Sequence, residues 1–124
     1  MQPTRTRGAS AYRNVYIDSA SPTKTLDEVY ERILLHCREA AEGIGRKDFA
    51  KKGIAISKAL AFVGALESAV DVKPAPELGH NLLRLYRFVV EKLTEANTQV
   101  IAKPLGEAEQ VIVVLRDAFR QAAA

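Results

Sequence analysis

The side chains in this sequence that are best suited to nucleophilic or metal-binding chemistry are Cys37, His36 and His80. A cysteine becomes a nucleophile when a basic neighbour lowers its pKa, and histidines bind a metal when further ligands stand at matching spacing. No basic partner is evident for Cys37, and neither histidine belongs to a recognisable metal-binding motif. We therefore interpret Cys37 as a small buried side chain and the two histidines as surface or boundary residues.

The rest of the sequence offers little else for catalysis. Gly43-Ile44-Gly45 is a helix stop rather than a phosphate-binding loop. A small helical enzyme needs Arg, Lys or Glu side chains that point into its core, and the apolar stripes described below contain none. We predict that the chain is not an enzyme and that it has no catalytic residues, cofactor or metal.

Length and composition are those of one ordinary globular domain. The chain has 124 residues and a single cysteine, which cannot form an internal disulfide and therefore fits a reducing compartment. It has no apolar run of transmembrane length and no N-terminal signal peptide pattern. These features predict a cytoplasmic protein without membrane insertion.

The positive charge is confined to the N-terminal end. Of 18 basic and 15 acidic residues, four and one respectively fall within residues 1–25, so the remainder is balanced. A nucleic-acid-binding domain usually concentrates positive charge on a folded face. The neutral body therefore disfavours nucleic acid as a partner.

Hydrophobic periodicity divides the chain into a flexible N-terminal arm, residues 1–21, and a helical domain, residues 22–124. Helix 1 begins at Ser21-Pro22, helix 2 runs from the N-cap Asp48 to about Val70, helix 3 follows the Lys73–Pro76 segment, and helix 4 begins at Pro104. The stripe of helix 3 comprises Leu78, Leu82, Leu85, Tyr86, Val89, Leu93 and Ala96. Short connections favour antiparallel neighbours, so we predict an all-α, up-and-down four-helix bundle.

The β-branched run Val111–Val114 is interpreted as part of helix 4.

Helix 2 has almost no polar side. Large apolar residues gather on one stripe of helix 2. The opposite side carries more apolar residues and only three polar ones: Ile54, Ala61, Ala65 and Ala69, with Ser57, Lys58 and Ser68. A helix that is apolar nearly all round is buried on two sides. Either the second side belongs to a wide core, or it forms a groove for a partner helix. The groove hypothesis takes in these residues and others outside the main stripes: Ile54, Ala61, Ala65, Leu83, Val90 and Val114.

The N-terminal arm carries large apolar residues in a segment without helical period. A solvated tail alone has no need of Tyr12, Val15 and Ile17. Either they pack locally over the bundle end, or they form a cap that covers the groove when the partner is absent.

Several short segments together resemble the flagellar secretion chaperone family, FliS. The match includes Tyr12 to Pro22, ending Ser19-Ala20-Ser21-Pro22, and continues through every helix, so that it covers nearly the whole chain after residue 10. Its helical segments are Lys24, Leu26 and Tyr30, Lys47-Asp48-Phe49, Ile56-Ser57-Lys58-Ala59, Leu85-Tyr86-Arg87-Phe88, Leu93-Thr94-Glu95-Ala96-Asn97, and Leu115-Arg116-Asp117-Ala118-Phe119. The chain departs from the family pattern at Asp27, Glu28, Arg32 and Phe119.

The resemblance implies a cytoplasmic four-helix chaperone with no cofactor. Such a chaperone binds the disordered C-terminal segment of flagellin, prevents its premature polymerisation and supports its delivery to the flagellar type III export apparatus. It also implies that the N-terminal segment occupies part of the binding surface. Two other interpretations stay open from the residues: a generic helical adaptor or self-associating bundle that forms a homodimer through the groove, and a nucleic-acid-binding bundle with a basic arm.

Overall fold

The structure, a computed structural model, describes residues 15–16 and 22–123, with side chains for 15, 16 and 26–122. It contains four helices in the described residues: α1 Pro22–Gly45, α2 Phe49–Ala69, α3 Pro76–Gln99 and α4 Lys103–Ala123. The predicted all-α fold is confirmed, and the stretch Val111–Val114 is helical. The helix start at Pro22 is as predicted. Helix α3 begins at Pro76, inside the segment that was predicted to precede it, and α4 begins one residue before Pro104.

The core is built from buried residues that alternate at spacings of three and four along each helix. This spacing lets the side chains of one helix fit between those of its neighbour, as in other antiparallel bundles. These core residues are Leu26, Tyr30, Ile33, Cys37 and Ala40 in α1, Ile56, Ala59, Val63 and Leu66 in α2, Leu82, Tyr86, Val89, Leu93 and Ala96 in α3, and Leu105, Ala108, Ile112, Leu115 and Phe119 in α4.

The four helices form an antiparallel square. Helix α1 packs against α2 and α4, and α3 packs against the same two helices. At the start of α2, the Lys52 ammonium donates to the Asn97 side-chain oxygen at the end of α3, 2.8 Å away. At the end of α4, the Arg120 guanidinium donates to the Asp27 carboxylate at the start of α1, 3.1 Å away. Connections of three residues join α1 to α2 and α3 to α4, so every neighbouring pair runs antiparallel.

Two positions that depart from the family pattern have clear structural roles. The Asp27 carboxylate joins Glu31 in binding Arg120, which lies 2.6 Å from Glu31, and these ion pairs tie α1 to α4. The hydrogen bond from Arg120 lowers the pKa of Asp27. Phe119, on α4, is 1% exposed and packs in the core of the bundle.

The structure corrects two sequence predictions. Leu85 was predicted in the core stripe of α3, but it is exposed. The buried face of α3 is narrower than predicted: it contains Leu82, Tyr86 and Val89, and Leu85 lies at its edge. His36 was predicted at the surface or boundary, but it is buried, and its ring stacks on Phe62 with the ring centroids 5.9 Å apart.

None of the described helices combines the length and the apolar character needed to cross a bilayer.

Candidate partner-binding surface

One side of α2 carries apolar residues that the described part of the chain leaves uncovered. Ile54 is 58% exposed, and Ala61 and Ala65 are exposed as well. The opposite side of the same helix is buried against the bundle. A Cβ atom added at Gly53 or Gly64 would meet no atom within 4 Å. Lys58 is exposed on the open side too, between Ile54 and Ala61. The three apolar residues of this side, Ile54, Ala61 and Ala65, are called the α2 surface below.

Two further predicted groove residues lie on α3 and face α2. Leu83, Val90 and Asn97 stand at intervals of seven residues, so they lie in one row along α3. Asn97 accepts hydrogen bonds from Lys52 of α2, which shows that this row faces α2. Leu83 and Val90 are half-buried, so they line the junction between the two helices beside the α2 surface.

Val114 occupies a different part of the molecule. It is 65% exposed on α4, a helix that packs against α1 and α3 and lies diagonally across the bundle from α2. Five of the six predicted groove residues thus lie on the neighbouring helices α2 and α3, and Val114 lies apart from them on α4. Whether any of the six binds a partner stays a prediction.

The described part of the arm enters the core. Val15 is fully buried, and its carbonyl oxygen accepts a hydrogen bond from the backbone N–H of Asp71. Tyr16 pairs with Val70 in a single antiparallel β-bridge. The other two predicted cap residues, Tyr12 and Ile17, lie outside the described residues, so the predicted cap and the division at residue 21 stay predictions.

The Tyr16 side chain meets two other tyrosines inside the bundle. Its hydroxyl lies 3.4 Å from that of Tyr30 on α1 and is hydrogen-bonded to that of Tyr86 on α3. The hydroxyls of Tyr30 and Tyr86 are themselves 2.7 Å apart. Burial raises the pKa of Tyr16, although the two hydrogen bonds act in the opposite direction. Nothing in the spacing of Tyr16 along the sequence predicts a contact with Tyr30 or Tyr86, so no signal in the sequence identifies this cluster.

The structure shows where the reactive side chain of Cys37 lies. Cys37 is fully buried, and burial raises the pKa of its thiol to about 12, which confirms its interpretation as a core residue. Among the described residues, His, Cys, Asp and Glu side chains form no group of three that could hold a metal ion. The exposed Ile54, Ala61 and Ala65 side chains of the α2 surface are able to bury apolar area against a partner.

Sequence analysis also missed three exposed apolar residues at one end of the bundle. Phe49 precedes the buried Ile56 by seven residues and shares its side of α2, yet it is 55% exposed because the bundle ends there. Val100 and Ile101 in the connection between α3 and α4 are 37% and 40% exposed. A helical pattern does not show where a bundle ends, so no signal in the sequence identifies them.

Comparison with known proteins gives one consistent family. The family described as "Flagellar protein FliS" matches residues 5–124. The "Flagellar secretion chaperone FliSB" of Pseudomonas aeruginosa is 28% identical over 103 residues, which cover 83% of this chain and 82% of that protein. The "Flagellar secretion chaperone FliS" of Salmonella typhimurium is 26% identical over 119 residues, covering 92% and 88%. The protein of the same description from Escherichia coli is 24% identical over 120 residues, covering 93% and 88%. Since the family match spans nearly the whole sequence, the chain belongs to the flagellar protein FliS family, a family of chaperones and not of enzymes.

Proposed function

We propose that this protein is a cytoplasmic export chaperone for flagellin. It binds the disordered C-terminal segment of flagellin, prevents premature polymerisation and supports delivery of the subunit to the flagellar type III export apparatus. Membership of the FliS family supports the proposal, as do the names of the relatives from Pseudomonas aeruginosa and Salmonella typhimurium.

The observation that carries the proposal is the open α2 surface. Ile54, Ala61 and Ala65 are uncovered apolar side chains on the side of α2 that also carries exposed Lys58, and Leu83 and Val90 are half-buried on the neighbouring α3. Small side chains let the backbone of a partner helix approach closely, and an amphipathic helix in an apolar groove is a common mode of peptide recognition. Burial of apolar area there stabilises the complex by about 25 cal/mol per Å², before the cost of ordering the partner.

The physical logic suits a client that is unfolded before assembly. A chain destined for a helical filament carries apolar stripes that associate with one another when they are exposed. Binding these stripes to a matching surface suppresses self-association, and it orders the segment only while the segment is bound.

The proposal is tested by calorimetry with two forms of flagellin. We expect full-length flagellin to bind and flagellin without its C-terminal segment to bind at least about 100-fold more weakly, because the apolar contact is lost. Equal binding of the two forms would contradict the proposed mode.

A charge on the α2 surface tests the location of the site. We expect Ala65→Glu to weaken flagellin binding by about 10-fold or more, because the complex would bury an unpaired charge. Gln110→Glu is the matched control, since Gln110 is exposed on α4 and the charge change is the same. Wild-type affinity for Ala65→Glu would move the site away from this surface, and Val114→Glu then asks whether the outer side of α4 contributes.

Light scattering over a concentration series separates the chaperone from the alternative of self-association. We expect the free chain to remain monomeric. A dimer that Ala65→Glu dissociates would assign the α2 surface to a second copy of the chain instead.

A further inference from the structure

Three exposed apolar residues lie at the end of the bundle that carries the connections from α1 to α2 and from α3 to α4. Near this end, the Lys52 ammonium of α2 donates to the Asn97 side-chain oxygen of α3, 2.8 Å away. Phe49 lies one helical turn before Lys52, and Val100 lies one turn after Asn97, so both stand at the same end of the bundle. Phe49, Val100 and its neighbour Ile101 are called the end patch below.

The end patch protrudes from the bundle and does not line a groove. Every residue in the ranges 45–50 and 98–103 is exposed, and Phe49 itself is 55% exposed. An apolar site that receives a partner helix is concave, so the walls on either side partly bury its side chains. A protruding patch of this kind suits a flat surface into which its side chains are inserted.

Positive charge surrounds the end patch, although the body of the protein is neutral as a whole. Residues 45–52 and 97–103 contain five basic residues and one acidic residue, whereas the rest of the chain beyond residue 25 contains nine basic and thirteen acidic residues. The five basic residues are Arg46, Lys47, Lys51, Lys52 and Lys103. The single acidic residue, Asp48, is already engaged as the N-cap of α2. A surface that covers the end patch is therefore expected to carry negative charge.

Two residues at this end hold a backbone conformation that disfavours their side chains. Lys47 and Val100 have φ angles of 58° and 55°, in the left-handed region where glycine is the usual residue. The β-branched side chain of Val100 is especially unfavourable there. Strained positions of this kind cluster at functional sites. One of these two side chains is basic and the other is apolar, so both kinds of group that define this end are retained at strained positions.

We propose that the end patch docks the protein on an anionic lipid bilayer. The three apolar side chains enter the boundary between headgroups and acyl chains, and the basic residues beside them stay at the level of the lipid phosphates. No helix crosses the bilayer in this arrangement. The bundle stands on the membrane by one end, so the α2 surface along its side remains open to a partner. This inference does not depend on flagellin binding, and its tests use no flagellin.

Cosedimentation with two kinds of lipid vesicle tests the proposal on the full chain. We expect vesicles of phosphatidylglycerol and phosphatidylcholine in equal parts to bind the protein at least about 10-fold more tightly than vesicles of phosphatidylcholine alone. The difference should shrink as salt is added, because salt screens the attraction between the basic residues and the phosphates. Equal binding to the two kinds of vesicle, or binding to neither, would overturn the inference.

Matched charge changes separate the end patch from the basic N-terminal arm. We expect the double variant Arg46→Gln, Lys47→Gln to bind anionic vesicles about 10-fold or more weakly than the wild type, because two charges beside the membrane are lost. The double variant Arg5→Gln, Arg7→Gln removes the same charge from the arm and should weaken binding by less than about threefold. Unchanged binding of the first variant, or an equal loss in both, would contradict the proposed location.

Val100→Gly distinguishes a binding role from a structural one. Glycine relieves the left-handed strain, so we expect Tm to rise by a few degrees while the affinity for anionic vesicles falls by about threefold or more. A loss of binding in a more stable protein does not come from unfolding. Val114→Ser, on the outer side of α4, is the control and should leave vesicle affinity unchanged. Wild-type vesicle affinity in Val100→Gly would overturn the inference.

Light scattering tests the competing occupant, a second copy of the chain. We expect Phe49→Ser to weaken vesicle binding and to leave the free protein monomeric, as the wild type is expected to be. A wild-type dimer that Phe49→Ser dissociates would assign the end patch to contact between copies and overturn the proposal.

Discussion

Tyr16, Tyr30 and Tyr86 place three hydroxyl groups inside a mostly apolar core. Buried hydroxyls are tolerated when they are hydrogen-bonded, and these three satisfy one another. Among the described residues, every buried side-chain nitrogen or oxygen has a hydrogen-bonding partner. The tyrosines also join parts of the chain that are far apart in sequence, since the hydroxyls come from the arm, α1 and α3.

The raised pKa of Tyr16 predicts a loss of stability in alkali. The folded state holds the phenolic proton more tightly than the unfolded state, whose tyrosine titrates near pH 10. The stabilisation is therefore complete below pH 10, and it is lost as the pH rises above 10 toward the folded pKa. We expect urea midpoints to fall more steeply above pH 10 in the wild type than in Tyr16→Phe. Parallel pH profiles for the two proteins would contradict this assignment.

The Cys37 thiol should be unreactive in the folded chain. Burial raises its pKa to about 12, the charge of Glu109 adds to the shift, and Arg38 opposes it. Because the thiolate is the reactive species, we expect a thiol reagent at pH 8 to label Cys37 at least about 100-fold more slowly in buffer than in denaturant. Equal labelling rates would show that Cys37 is accessible.

At the scale of the elements, the end of α1 shows how local backbone geometry joins two helices. The N–H of Asp48 donates to the Gly43 carbonyl at 2.8 Å, and the N–H of Lys47 donates to the Ile44 carbonyl at 3.2 Å, which together form a Schellman motif. Lys47 occupies the left-handed position of this motif with a φ of 58°, where glycine is the usual residue. Gly43 acts as a point of close approach between α1 and α2, while the helix itself continues to Gly45.

Substitutions in this turn should have opposite effects. We expect Lys47→Gly to raise the free energy of unfolding by about 1 kcal/mol, because the left-handed conformation disfavours a side chain. Gly43→Ala should lower the free energy of unfolding by roughly 1–3 kcal/mol through overpacking. The added Cβ would lie 2.8 Å from the backbone nitrogen of Lys52 and 2.9 Å from the backbone oxygen of Asp48. Urea unfolding measures both changes.

Gly45→Ala is the control for this pair. A Cβ at Gly45 meets nothing within 4 Å, so this variant should be at least as stable as the wild type. A Gly43→Ala variant as stable as Gly45→Ala would contradict the role assigned to Gly43.

The element boundaries were largely predictable because their signals are local. The Asp48 side chain caps α2 as predicted by accepting from the Lys51 N–H at 3.1 Å, and Pro22 begins α1 as predicted. The exposure of Leu85 was not predictable in the same way. Its spacing from Leu82 and Val89 fits a helical stripe, but the width of the buried face depends on how closely α4 approaches α3.

For the whole molecule, the distribution of charge and apolar surface predicts how a partner binds. The body beyond residue 25 has balanced charge, and the α2 surface is apolar. We expect flagellin binding to show a negative heat-capacity change, and its affinity to change less than about threefold between 50 and 300 mM salt. Calorimetry at several temperatures and salt concentrations measures both quantities. A fall in affinity of about 100-fold over this salt range would instead indicate binding dominated by ion pairs.

The sequence by itself determined the four helices, their antiparallel order and most of the core, because spacings of three and four and local caps are properties of each helix alone. Only the tertiary structure decided which side of α2 stays open. The apolar residues of α2 lie nearly all round the helix, and packing against α1 and α3 determines which of them are buried. It also separated Val114 from the α2 surface and placed Val15 and Tyr16 in the core. These outcomes depend on contacts between residues far apart in the chain, and a helical pattern records only the angles within one helix.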